Sequence, residues 1–132
     1  MKMQAIFIVL AATLAAAQND KSANAPSGQP SDAVCVANTQ IEIDQCLSNA
    51  YQSADKELNQ VYSQLMKKQD AAGQSRLQVA QRAWIKYRDA HCTAAAAIYQ
   101  GGSIQPSVRS GCLTRITRAR IDELHQVYAM GP

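Results

Sequence analysis

Four cysteines (Cys35, Cys46, Cys92 and Cys112) and two histidines (His91 and His125) are the residues of this chain best suited to covalent or metal chemistry. Four sulfurs can hold one zinc ion or close two disulfides. Zinc ribbons supply their ligands as C-x-x-C pairs, because a short turn aims two thiolates at one tetrahedral ion. No two of these cysteines stand at that spacing, so the even count reads as two disulfides and no metal site is expected. His91 adjoins Cys92, which suggests a thiolate with an imidazole base. On a helix, adjacent side chains diverge by about 100°, and a disulfide removes the thiolate altogether. Asp122-Glu123 and the Glu42/Asp44 pair read as solvated or ion-paired helix charges. Gly101-Gly102 follows a helical segment and does not lead from a strand into one, so it is not a phosphate loop. The chain therefore reads as a non-enzyme, with no catalytic residue and no cofactor.

Two groups of residues remain that could recognise something. Gln81, Trp84, Tyr87, Arg88 and Asp89 crowd one helical stretch, and positions 81, 84 and 88 share a face. Trp84 could be a ligand platform, but it continues an apolar seam, and a partly buried arginine needs a partner. The expectation is a structural polar cluster of Asp55, Asn59, Gln81, Trp84 and Arg88. In it, Arg88 pairs with Asp55 or hydrogen-bonds near Asn59 across a helical hairpin. The second group is the loop from Gly101 to Arg109. Gly101 and Gly102 permit close backbone approach, Ser103 offers a hydroxyl, and Arg109 could reach carboxylates. Gly101, Gly102, Ser103 and Arg109 are the candidate partner-binding residues. The simpler reading is that Gly-Gly only terminates a helix.

The elements that must position these groups are helical, since strand signals are nearly absent. Thr39-Gln40-Ile41-Glu42 reads as a capping box opening the first helix. Ile43, Leu47, Ala50, Ala54, Leu58, Val61 and Leu65 then recur at steps of three and four and define its inner face. Lys67 and Lys68 suit its negative end, and Gly73 is a plausible stop. Ser75-Arg76-Leu77-Gln78 reads as the cap of the second helix, with Leu77, Ala80, Trp84, Tyr87, His91, Ala94 and Ile98 on its buried face. The short connection predicts that the first two helices are antiparallel neighbours. A third helix starts between Ser107 and Ser110, runs to about Tyr128 and turns Leu113, Ile116, Thr117, Ile121, Leu124 and Tyr128 inward. The fold class is all-α: a small bundle of three main helices with two disulfides clustered at one end. Cys46, Cys92 and Cys112 all fall at that end, and Cys35 is tethered to it. Cys35–Cys46 with Cys92–Cys112 is the favoured pairing, and Cys35–Cys92 with Cys46–Cys112 stays open. Either pairing stiffens the cysteine end and leaves the Gly73 end looser. Glu42 and Asp44 are expected to meet Arg109, Arg115 and Arg118 across the first and third helices.

The 132-residue chain has room for one domain. Residues 1–17 read as a signal peptide: Met1-Lys2 is positive, Ala5 to Ala17 is apolar apart from Thr13, and Ala15-Ala16-Ala17 offers small residues for cleavage. That run is shorter than a bilayer span of about 20 residues, so no membrane anchor is expected after cleavage. Residues 18–34 are rich in Asn, Ser, Gly, Pro and Asp and read as a flexible linker. The folded domain is then 35–130, and the location periplasmic or secreted, which suits disulfides. Thirteen basic against ten acidic residues give a net charge of +3, which makes no argument for nucleic acid.

Taken together, several stretches resemble a known family. They are Thr39-x-x-Glu42-x-x-x-Cys46, Tyr51-x-x-Ala54-Asp55-x-x-Leu58-Asn59-x-x-Tyr62, Ala80-Gln81-Arg82-Ala83-Trp84-x-x-Tyr87-Arg88-Asp89-Ala90-x-Cys92, Gly101-Gly102-Ser103 and Cys112-Leu113-x-x-x-Thr117-x-x-Arg120. This pattern resembles the LprI-like domain, named for a mycobacterial lysozyme inhibitor, over nearly all of Cys35 to Leu124. The resemblance implies a small exported helical domain of the bacterial envelope, with lysozyme or another envelope protein as partner. Its namesake resembles a lipoprotein, whereas here no cysteine follows the apolar run before Cys35. The function expected is lysozyme inhibition by cleft occlusion. The alternative is a non-catalytic structural or adaptor module of the envelope without lysozyme activity.

Overall fold

The computed structural model describes residues 35–129. The expected signal peptide (1–17), the linker (18–34), residue 130 and the inward side chain of Tyr128 lie outside that description. Three helices follow in order among the described residues: α1 (Gln40–Lys68), α2 (Ala71–Ala97) and α3 (Gln105–Ala129). None of them is long and apolar enough to cross a membrane.

α1 opens as its sequence dictates. Thr39 is extended, its hydroxyl accepts from the Glu42 N–H, and the Glu42 carboxylate reaches back to the Thr39 and Asn38 N–H groups. Three otherwise orphaned donors are thereby satisfied. These bonds favour the charged carboxylate and hold Glu42 below the ordinary carboxylate range, the Asn38 N–H foremost. Ala54, Leu58 and Leu65 are buried, and Ile43, Leu47, Ala50 and Val61 half-buried, so the whole expected inner face points inward. Lys67 and Lys68 close the last turn.

The link between α1 and α2 is tighter than the sequence suggests. Gln69 is extended and ends α1, and Asp70, not Ser75, caps α2 by accepting from the Gly73 N–H at 2.7 Å. Gly73 stops nothing: it lies buried inside α2. A Cβ there would stand 2.8 Å from Gln69 Oε1 and 3.0 Å from Asp70 Oδ1, so glycine makes room for the side chains of the link itself. The Gln74 amide then donates to the Met66 and Gln69 carbonyls and fastens the corner.

α2 also buries a different stripe from the one its apolar residues suggest. Leu77, Gln81, Arg88, Cys92 and Ala96 are buried and Trp84 half-buried, whereas Ala80, Tyr87, His91, Ala94 and Ile98 are exposed. The inward stripe tolerates Gln81 and Arg88 because both find partners there (below). α3 explains the shift. It packs along α1 and against α2, while α1 and α2 approach each other closely at few points. The short connection therefore does not make its two helices close neighbours; α3 sits against both.

α3 runs parallel to α1. Ser107 at its start meets Gln40 and Asp44 at the start of α1, and its later residues Ile121 and Leu124 share a cluster with Leu58, Leu65 and Leu77. That cluster lies toward the Gly73 end, which was expected to be the looser one. A smaller cluster of Cys92, Leu113 and Ile116 fills the cysteine end, and Trp84 packs against both. Leu113, Ile116, Thr117, Ile121 and Leu124 are all buried, as the periodicity of α3 predicts. The helix begins at Gln105, earlier than expected, because Pro106 falls in the first turn, where no N–H is needed.

The two candidate caps of α2 separate cleanly in experiment. Asp70→Ala should cost about 1 kcal/mol in urea unfolding. Ser75→Ala, within the helix, should be neutral or slightly stabilising. A larger loss at Ser75 would place the cap where the sequence pattern first suggests it.

Candidate functional site

Two regions emerge from the residues singled out above: a polar knot at mid-bundle and an open loop at the cysteine end. The knot is centred on Arg88, whose side chain is 9% exposed. Its Nη1 donates to Asp55 Oδ1 on α1 at 3.0 Å and its Nε to Asp89 Oδ1 at 2.9 Å. Asn59 donates to the other Asp55 oxygen at 3.3 Å and so orients that carboxylate without touching Arg88. The guanidinium also lies 5.1 Å from the centre of the Trp84 ring and 5.5 Å from that of Tyr51. Burial works to lower the Arg88 pKa, but the hydrogen bond to Asp89, Tyr51 and the bond to Asp55 outweigh it and hold the charge firmly. Burial likewise raises Tyr51 above the ordinary phenol range, with Arg88 pulling the other way.

Gln81, buried on the same stripe, accepts from Arg120 Nε of α3 at 3.3 Å. Arg120 also pairs with Glu123 at 3.1 Å and stands 5.9 Å from the Trp84 ring centre. The five expected cluster residues thus come together, joined by Tyr51, Asp89 and Arg120. Sequence spacing alone did not place Tyr51 and Arg120 in the knot, because each lies on a different helix. Their signal was position: Tyr51 is one turn before Asp55, and Arg120 is one turn beyond the buried Thr117. Glu42 serves the cap, as the capping box predicts, and Asp44, expected to face the α3 arginines, accepts from Ser107 Oγ and from the Gln40 amide at 3.0 Å.

At the cysteine end the favoured pairing holds. Cys35 is bonded to Cys46 and Cys92 to Cys112, with Cα–Cα distances of 5.8 and 5.5 Å. Cys92 is fully buried, and its sulfur is tied up, so the thiolate considered beside His91 does not exist. The His91 ring instead lies 5.5 Å from that of Tyr87. Among the described residues no group of three or more His, Cys, Asp or Glu could hold a metal ion.

The Cys92–Cys112 bond staples the two stems of the loop between α2 and α3. Within it the Gly102 N–H donates to the Tyr99 carbonyl at 2.9 Å and the Gln105 N–H to the Gly102 carbonyl at 3.2 Å. Gly101 has φ +79°, which a side chain would strain. Gly101, Gly102 and Ser103 lie exposed on this turn, and Arg109 lies exposed one helical turn into α3. The sequence reading missed their neighbours: Ile98, Tyr99 and Ile104 are 79%, 43% and 41% exposed. Ile98 has the spacing of a buried face but stands at the C-cap of α2, exposed.

Comparison with known proteins adds family context. The family model described as Lysozyme inhibitor LprI matches residues 31–124. An uncharacterized protein of Rhizobium meliloti (strain 1021) is 34% identical over 119 residues, covering 80% of this chain and 86% of the relative. No solved structure matches.

The knot makes a stability prediction with an internal ranking. Arg88→Ala should cost about 3 kcal/mol, since it leaves two carboxylates and two ring faces without their cation. Arg88→Lys should recover only part of that loss, because an ammonium cannot stack and bridge as the planar fork does. Asp55→Asn should cost least, as Asp89 remains. Urea unfolding that ranked Asp55→Asn above Arg88→Ala would contradict this account.

Proposed function

The chain belongs to the LprI family, and on that premise we propose that it is an exported, non-catalytic protein that binds lysozyme and inhibits it by occupying the substrate cleft. The observation that carries this reading is the stapled, exposed loop between α2 and α3. Both stems are fixed by Cys92–Cys112, so little conformational freedom is lost on docking. Lysozyme works with a pair of carboxylates flanking the bond it cuts. From Ala90 to Ile121 this chain has no Asp or Glu, and it carries the exposed Arg109 and Arg115 there. A partner with an acidic floor is therefore met without like-charge repulsion from the loop. Arg109, exposed on the first turns of α3, is the residue assigned to a cleft carboxylate. The disulfides suit a periplasmic or secreted location, where thiols oxidise and lysozyme is encountered.

Titration of the oxidised chain from Gln18 into c-, g- and i-type lysozymes, read by cell-wall lysis, should show stoichiometric inhibition of one class. Absence of inhibition of every class at high micromolar excess would sink the proposal and leave an envelope adaptor module. Opening Cys92–Cys112 by Cys→Ser at both positions removes about 3 kcal/mol on the chain-entropy model. It should also weaken inhibition more than opening Cys35–Cys46, although the two bridges are worth similar stability.

A further inference from the structure

Of the nine large apolar residues exposed among the described residues, five (Val36, Ile41, Ile98, Tyr99 and Ile104) belong to the two disulfide-stapled segments, the others being Val79, Ile85, Tyr87 and Val127. Val36, Ile41 and Ile98 are 90%, 80% and 79% exposed. The segments are tied to each other: Gln40 Nε2 donates to Ser107 Oγ at 2.7 Å, and Ser107 bonds Asp44. A chain that needs only to turn from α2 into α3 has no use for an isoleucine on either side of the turn. Water contact at such side chains forgoes about 1.5–3 kcal/mol each that burial would return.

Resting on the lysozyme reading above, we propose that the docking surface is the whole cysteine end, with Ile98, Tyr99 and Ile104 as its apolar anchors. Val36 and Ile41 form the rim, and the occupant is a carboxylate-floored, apolar-walled lysozyme cleft. Charge selects this occupant. At this end Asp44 is half-buried against Ser107 and the exposed Glu42 is engaged by the α1 cap. The α2–α3 loop and the start of α3 carry Arg109 and no carboxylate, so the loop face offered to the partner is apolar and cationic. A lysozyme cleft sets an acidic group against apolar aromatic surface, the complementary combination. Tyr99 suits such a boundary, with an apolar ring and a polar tip. Bond energy at interfaces concentrates in a few central residues, so the three anchors outweigh Arg109, whose role is orientation.

The test is one inhibition assay on three proteins: the unaltered chain, the triple variant Ile98→Ser/Tyr99→Ser/Ile104→Ser, and the control Val79→Ser/Val127→Ser. The control alters exposed apolar residues away from this end (64% and 62% exposed). Unaltered circular dichroism and urea midpoints check that each variant folds. The triple variant should inhibit the responsive lysozyme class at least about tenfold more weakly, with the control unchanged. A triple variant as potent as the parent overturns the anchor assignment while leaving lysozyme inhibition standing. Equal losses in triple variant and control overturn it too, since the cysteine end would then not be special. A parent chain inert toward c-, g- and i-type lysozymes overturns both, and that failure shows in the parent, not the variants.

Discussion

A buried guanidinium cannot be left alone. Taking Arg88 out of water costs several kcal/mol unless the protein replaces its hydration, and the bundle is arranged around that requirement. Asp55 comes from α1, Asp89 from α2, and Trp84 and Tyr51 supply ring faces on which the flat cation rests. Because α1 and α2 approach each other closely at few points, the Asp55–Arg88 bond is a principal tie between them. Trp84 extends the tie in the other direction. It touches both apolar clusters and receives Arg120 from α3. All three helices thus meet in one stacked array, and the leucines pack on one side of it, the cysteines on the other.

This arrangement explains which parts of the fold are legible in the sequence. α1 buries an apolar stripe, and α3 one interrupted only by Thr114 and Thr117, so hydrophobic period locates their inner faces correctly. α2 hides its orientation because its buried stripe contains Gln81 and Arg88, whereas its exposed side is rich in alanine. A period count weighs Ala80 and Ala94 as core, whereas Gln81 and Arg88 are held inward by Arg120 of α3 and by Asp55 and Tyr51 of α1, along with Asp89 and Trp84 of α2 itself. Local chemistry misleads at the α1–α2 corner for a similar reason. Ser75 and Gln78 have the right types and spacing for a cap, but Asp70 stands earlier, and a glycine at 73 is there for room, not for a turn.

The cysteine end was legible in its connectivity and only partly in its surface. Placing helix ends on the same side was enough to favour Cys35–Cys46 and Cys92–Cys112, since a disulfide only joins Cα atoms already close together. The polar and flexible residues of the loop, Gly101, Gly102, Ser103 and Arg109, drew attention because such types are expected to contact partners. The apolar ones did not, because an isoleucine at helical spacing is ordinarily core. α2 ends at Ala97, before the face that Ile98 would have continued.

The packed leucines and the proposed docking surface accordingly lie at opposite ends of the bundle. The leucine cluster at the Gly73 end and the Arg88 knot lie away from the loop. The cysteine end can then carry exposed isoleucines that contribute nothing to the core, provided the covalent staples fix its shape. Thr117, fully buried with no hydrogen-bond partner for its hydroxyl among the described residues, shows that α3 is packed tightly even at some polar cost. A net charge of +3 generates only a weak long-range field. Recognition of the kind proposed for the cysteine end would therefore be decided at contact, by the shape of the stapled loop and the local charge of Arg109.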